Sequence, residues 1–401
     1  MKVGILGGGG SFAREFIPLF AAHPLVSEVV LAEVLPDRRR EIADRFGIRR
    51  VVGSMEELLA TDVDAVAIFT QRWMHAAQAI AALRAGKHVY SAVPAAISIP
   101  ELADLVATVE STGLTYMMGE TSHYYPAALY CRQRFAAGDF GRLVYAEGDY
   151  VHDMSHGFYD AYRHSGGADW QGTASFPPML YGSHSVGIVL SVTGGEMTHV
   201  SSFGQVDMEG DGVFDVDVSQ WRNAFSNQTA LFRMSDGGMC RINEFRRIGI
   251  SAGPSVRLSM YGTNGAFEEQ ANARVWTTRD SSAPIDLTEA LRCAGYPDED
   301  PAHPRIGIDA SFSVGLSPLH DAARLPSTFK GLPNGHYGAH QVLALDFIEA
   351  CTIGRRASTT VWDAARFCAP GIVADESSRL GGTLLEIPRF PEPAAEVTAP
   401  V

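Results

Sequence analysis

Tyr181 and His184 stand three residues apart, a spacing that would put a phenol and an imidazole on one helix face. Such side chains move protons, and a phenol beside a positive or hydrogen-bonding neighbour can act as a base near neutral pH. The competing reading of Tyr181 is an ordinary amphipathic contact. Glu120 follows the apolar run Tyr116–Met118, so it would sit at the carboxyl end of a buried strand, where open α/β sheets hold ligands. Otherwise it is a salt-bridged carboxylate at a sheet edge. His340 comes four residues after His336, which on a regular helix would give two imidazoles one face, as in zinc sites. No HExxH pattern or third ligand accompanies them, and no metal is expected. His152, beside Asp153 and near His156, is a further candidate contact. Within the stretch Gly157–Pro178, Arg163 and His164 would meet an anionic substrate group, and Trp170 and Tyr162 would stack on a sugar face. Solvated or loop-anchoring roles are the alternatives for these four.

A second kind of chemistry lies at the start of the chain. Gly7, Gly8, Gly9, Gly10, Ser11 and Phe12 follow the apolar run Val3–Leu6 and open a helical segment. Residues without Cβ permit a tight turn and close backbone approach, and a helix N-terminus offers free N–H groups to a pyrophosphate. The fit to GxGxxG is imperfect. Counting from Gly7 puts Phe12 at the third position, whereas counting from Gly8 gives Gly8, Gly10 and Ala13. Glu33 ends the second apolar run, where an acid would accept the adenosine ribose hydroxyls and repel a 2′-phosphate. NAD is therefore expected as the cofactor, with Arg38–Arg40 keeping NADP open.

These residues need elements to hold them. Val3–Leu6, Val29–Ala32, Val63–Thr70, Val89–Ser91 and Tyr116–Met118 read as short buried strands, alternating with helical stretches such as Phe12–Ala22, Arg38–Phe46 and His75–Ala85. Such alternation indicates a parallel, doubly wound sheet. After a helix over Pro126–Ala137, strand-like runs follow at Leu143–Val151, His199–Val206, Thr229–Met234, Met239–Phe245, Val256–Tyr261 and Ala273–Thr278. They predict an α+β unit with an open-faced, mostly antiparallel sheet. The expected domains are 1–124 for the nucleotide and 125–390 for the substrate, with a C-terminal helix packing back on the first. Gly157–Pro178 and Ala283–Lys330 read as long irregular segments.

The chain has 401 residues, 46% of them apolar and 19% charged, an ordinary globular composition. Its formal charge of −14 argues against nucleic acid or an anionic membrane as the main partner. The five cysteines lack a CxxC pair, and no apolar run reaches the roughly 20 residues of a membrane span. A cytoplasmic location is expected.

The segment Val63-Asp64-Ala65-Val66, His75, and Ala82-Leu83-Arg84-Ala85-Gly86-Lys87-His88-Val89 resembles the Gfo/Idh/MocA family, whose members carry D-x-V, H and A-L-x-A-G-K-H-V before Glu-Lys-Pro. The resemblance resumes at Gly138–Leu143 and from Ala365 to Gly382. It implies a Rossmann domain plus an open-faced sheet, with Thr70, His75, Val93, Pro94 and Glu120 beside the cofactor. One departure is informative. Ala92-Val93-Pro94 replaces Glu-Lys-Pro, and Val93 cannot share an alcohol proton as the family lysine does.

Val93-Pro94, Met117-Met118-Gly119-Glu120, Gly138-Asp139-Phe140-Gly141 and Tyr181-Gly182-Ser183-His184 are similar to the family's NAD-dependent glycosidases, of the α-N-acetylgalactosaminidase and sulfoquinovosidase type. That branch implies functional roles for Glu120, Tyr181 and His184. Gly338–Gln341 resembles a C-terminal active-site contact and adds His340. The expected activity is glycoside cleavage through transient oxidation at sugar C3, deprotonation at C2 and elimination at C1. An NAD-dependent sugar or cyclitol dehydrogenase and a non-catalytic sugar sensor are the competitors. A homo-oligomer through the open sheet face is also expected.

Overall fold

The computed structural model describes residues 1–250, 254–293 and 315–393. Short, mostly buried apolar runs pair as β1 (Lys2–Leu6), β2 (Glu28–Ala32), β3 (Arg50–Val52), β4 (Ala65–Ile68), β5 (His88–Ser91) and β6 (Tyr116–Met118). Their order is β3-β2-β1-β4-β5-β6, and every pairing is parallel. This is the Rossmann order. It reverses between β1 and β4, the switch point where such a sheet opens a ligand crevice.

The helices between these strands are α1 (Ser11–Ala22), α2 (Pro36–Phe46), α3 (Met55–Leu59), α4 (His75–Arg84) and α5 (Ile99–Thr112). Local chemistry sets their ends. Prolines open α2 and α5, Ser98 Oγ accepts the Glu101 N–H, and Gly47 and Gly113 close the two helices in the left-handed conformation.

After α6 (Pro126–Ala136) the chain builds a second sheet. It comprises β7 (Leu143–Val151), β8 (Met197–Val206), β9 (Phe225–Met234), β10 (Met239–Phe245), β11 (Val256–Gly262), β12 (Gly265–Glu269), β13 (Arg274–Thr278), β14 (Ile285–Asp286) and β15 (Leu385–Glu386). The order among the described residues is β14-β13-β12-β11-β7-β10-β9-β8-β15. Only β7 and β10 pair in parallel; the other pairings are antiparallel. The sheet is mostly antiparallel, as its pattern predicts.

Inward residues of β7 and β10 pack under α9 (Ser183–Thr193), while α11 (Val361–Arg379) lies along β8. A Cβ on Gly148 of β7 would lie 2.0 Å from the Ser185 carbonyl. Any side chain there would push the N-terminus of α9, and His184 with it, off the sheet. The helix α10 (Gly335–Ile353) packs on the first sheet, where Leu343 and Phe347 share a core with Phe16 and Phe20 of α1.

The stretch 157–178, read from sequence as a loop, is instead largely helical, with α7 (Phe158–Gly166), α8 (Trp170–Ala174) and 3-10 turns. Tyr162 and Ala174 bury themselves with Met154, Val213 and Phe214 in a small core of their own. That packing orders helices too short and glycine-rich to show a period. Of the irregular stretch Ala283–Lys330, residues 294–314 lie outside the described residues. Among the described residues no helix is long and apolar enough to cross a membrane.

Candidate active site

Glu120 leaves the end of β6 fully buried, and its Oε1 lies 2.6 Å from His184 Nδ1 on α9. The Ser122 N–H donates to the same oxygen at 3.0 Å. Burial alone would raise the Glu120 pKa, but the His184 ring and the Ser122 bonds outweigh it and hold the carboxyl below its ordinary value. Its other oxygen, Oε2, is buried with no hydrogen-bond partner among the described residues. An acceptor left bare in this way suits a ligand hydroxyl.

The Tyr181 ring stands edge-on to His184, 5.3 Å between centroids, and Tyr150 of β7 lies 5.9 Å from Tyr181. Arg72, just after β4, lays its guanidinium 4.3 Å from the centre of the Tyr181 ring. Burial raises the Tyr181 pKa, and the nearby Arg72 charge opposes that rise. At rest the phenol is therefore a stronger holder of its proton than the spacing alone suggested. Behind the ring, Glu244 of β10 accepts from Ser185 Oγ and from Arg246 Nη2, the latter at 2.6 Å. Burial pushes the Glu244 pKa up to about 7 against the pull of Arg246.

The nucleotide side forms around β1 and β4. Gly7 has φ +81°, and a Cβ on it would strike Thr70 Cγ2 at 2.7 Å, so the two loops meet there only through glycine. A Cβ on Gly8 would collide with Leu31, one on Gly9 with Arg38, and one on Gly10 would meet open space. At α1, Gly10 caps without a side-chain bond, and the first turn carries no acid. Its N–H groups are thus available to a pyrophosphate, and these residues fit a dinucleotide. The Ser11 side chain lies outside the described residues. Phe12 packs against Phe16, Phe69 and the rings of His336 and His340.

Glu33 is buried at the end of β2, its Oε1 accepting the Leu35 N–H at 3.1 Å. Val93 is buried and joined to Pro94 by a cis peptide bond. His75 Nδ1 lies 2.8 Å from the Pro94 carbonyl and Nε2 lies 3.1 Å from that of Thr70. It therefore holds two cofactor-side loops together and reaches the site through their backbone. A carboxylate at Glu33 beside a 2′-phosphate is a like-charge contact, so NAD should bind at least about tenfold more tightly than NADP. Equal affinities in fluorescence titrations of the two nucleotides would contradict this.

Some expected residues are elsewhere. His340 is fully buried on α10, with Nδ1 2.7 Å from Glu15 Oε2 and Nε2 2.7 Å from His336 Nδ1. The two imidazoles do not share a regular helix face. His336, Tyr337 and Gly338 all have positive φ, so the chain turns left-handed there and the rings meet directly. Arg163, His164 and Trp170 are not brought to Tyr181. Arg163 is exposed, pairs with Asp160 at 3.4 Å and lies over the Trp170 ring; the His164 carbonyl accepts from Arg38 at 3.2 Å. On α7, Tyr162 faces inward and its hydroxyl accepts from Arg72. His152 is buried against Phe158, its pKa pushed down to about 3, first by burial and then by Arg246.

Arg72, Tyr150, Glu244 and Arg246 were not singled out from sequence. A signal did exist for Glu244, because Cys240, Ile242 and Glu244 alternate inward on β10, and a carboxylate there breaks the apolar pattern. Arg72 carries no such local mark.

Residues 1–120 match the oxidoreductase family with an NAD-binding Rossmann fold, Gfo/Idh/MocA. The chain is 32% identical over 135 residues to 4-carboxy-2-hydroxymuconate-6-semialdehyde dehydrogenase of Sphingobium sp., a match covering 33% of this chain and 43% of the relative. It thus spans less than half of that relative's length. Over 97% of its own length and 83% of the other, it is 24% identical to a glycosyl hydrolase family 109 protein of Streptomyces coelicolor. The fold is similar to levoglucosan dehydrogenase solved with NADH and levoglucosan, with a TM-score of 0.73 and 20% identity, covering 97% and 100% of the two chains.

Proposed function

With residues 1–120 matching the NAD-binding Gfo/Idh/MocA oxidoreductases, we propose that this protein is an NAD-dependent glycoside hydrolase acting on a small sugar glycoside. The observation that carries the reading is the buried Glu120–His184 pair beside Tyr181 and Arg72, in a site where Val93 replaces the lysine of sugar dehydrogenases. The glycine turn, the start of α1, Glu33, Thr70, Val93 and Pro94 hold the dinucleotide, and residues 125–390 hold the sugar. NAD, when bound, supplies transient oxidation at sugar C3 and its reversal.

The chain's own residues carry the proton steps. Oxidation at C3 makes the C2–H acidic, and Tyr181, as the phenolate that the Arg72 charge favours, takes that proton. The C1–O bond breaks, and the departing aglycone oxygen takes a proton from solvent. Water puts its hydroxyl on C1 and gives its proton back to solvent, and Tyr181, after exchanging with solvent, protonates C2. Glu120 keeps the His184 ring fixed against the substrate, and the bare Glu120 Oε2 accepts a ligand hydroxyl. No paired carboxylates of the ordinary glycosidase kind are needed. The uncovered sheet face, where Phe203, Leu231 and Met239 are exposed, supports a homo-oligomer.

Aryl glycosides offered to the NAD-loaded protein should release aglycone with no net NADH. A second reading, an NAD-dependent sugar dehydrogenase, is favoured by the likeness to dehydrogenases. It predicts the reverse, free sugar oxidised with NADH accumulating.

A further inference from the structure

Resting on the reading that this cleft binds a sugar, we propose that the cavity between Arg72 and Arg246 receives a carboxylate borne by the substrate, which makes uronic-acid glycosides its substrate class. The cavity is lined by both arginines with Tyr162, Tyr181, Phe158 and Phe176. Its charges do not balance. Arg246 is buried and paired with Glu244 at 2.6 Å, and its Nη1 donates to the Tyr150 and Phe245 carbonyls.

Arg72 has no such counter-ion. Its guanidinium lies within 5.9 Å of the ring centres of Phe158, Tyr162, Phe176 and Tyr181, and its Nη1 donates to the Tyr162 hydroxyl. No carboxylate forms an ion pair with it among the described residues. Two guanidinium groups therefore face one carboxylate in an aromatic enclosure. Arg246 is buried and Arg72 partly so, which leaves the second charge to be met by solvent or by a ligand's opposite charge. The Tyr181 phenol, kept protonated by burial, does not supply it at rest.

Size and geometry narrow the choice. The enclosed space is about 10 Å³, room for about one water, so the pyranose ring stays outside and the carboxylate meets the arginines at the cavity mouth. Arginine's planar fork matches the two oxygens of a carboxylate. The anion contact expected at Arg163 and His164 is thereby reassigned to Arg72, which lies against the Phe158 and Tyr162 rings of α7.

Calorimetry on the NAD-loaded protein decides the matter with nitrophenyl glucuronide and galacturonide against the matching glucoside and galactoside. The uronides should bind at least about tenfold more tightly. Arg72→Met should abolish that preference, and Arg72→Lys, which keeps the charge, should retain part of it. A wild type without the preference, a preference that survives Arg72→Met, or tighter binding of the 6-sulfonate or 6-phosphate glycoside would overturn the proposal. If Arg72→Met fails to fold, the wild-type comparison and Arg72→Lys still decide. Arg72-dependent uronide binding without aglycone release would sink the glycosidase reading alone. Release from neutral glycosides with no uronide preference would sink this one alone.

Discussion

Replacing Tyr181 with Phe should slow aglycone release by roughly 10²–10⁴-fold, the range for losing a positioned proton-transfer group. The ring would stay in place against His184 and Tyr150, since only the hydroxyl is removed. The dinucleotide side is built from other elements, so the NAD content of the purified protein should not change. The pH profile offers an independent check. Burial raises the Tyr181 pKa, with Arg72 opposing, so the phenolate fraction grows towards alkaline pH and the rate should climb with it. Tyr181→Phe should flatten that climb. A variant that kept near-normal turnover and the same pH profile would remove Tyr181 from the mechanism.

Removing the Glu120 side chain should be the most destabilising single change at the site. Glu120 is fully buried and His184 nearly so, and breaking a buried pair costs about 3–5 kcal/mol. Glu120→Ala should therefore lower stability by about 3 kcal/mol at pH 7, read as the urea midpoint. The sign of its pH dependence follows from the depressed folded-state pKa. The unfolded carboxyl titrates near its ordinary value of 4.5 and the folded one lower. The stabilisation is thus complete above about pH 4.5 and is lost as pH falls through the folded value. The gap between wild type and variant should narrow on acidification. A gap that stayed constant or widened would mean that Glu120 is not held ionised by the fold.

The parallel sheet was legible because its strands are short, largely buried apolar runs separated by helices with clear stops, as at Gly47. β3 and α3 were not: β3 is an edge strand with no buried residue, and α3 is five residues long, too short to carry a period. In the site, Glu120 could be found from its place after a strand, and Tyr181 and His184 from the family resemblance. The two rings do meet, but Tyr181 ends a 3-10 turn and His184 opens α9, so they do not share one helix face as their spacing suggests. Arg72 could not, because its significance comes from rings contributed by α7 and the segment around Phe176–Tyr181, far away in sequence. His336 and His340 show the opposite failure. Their spacing suggests a helix face, yet three residues of positive φ break the turn, and the rings meet by a different route.

The central claim is that glycoside cleavage here passes through loss of the C2 proton, and turnover in heavy water tests it most directly. Tyr181, once deuterated by solvent, returns deuterium to C2, while C3 recovers its own hydrogen within the same turnover. The released sugar should therefore carry deuterium at C2 and none at C3, by proton NMR of the product. Aglycone release that leaves C2 fully protiated would contradict the account.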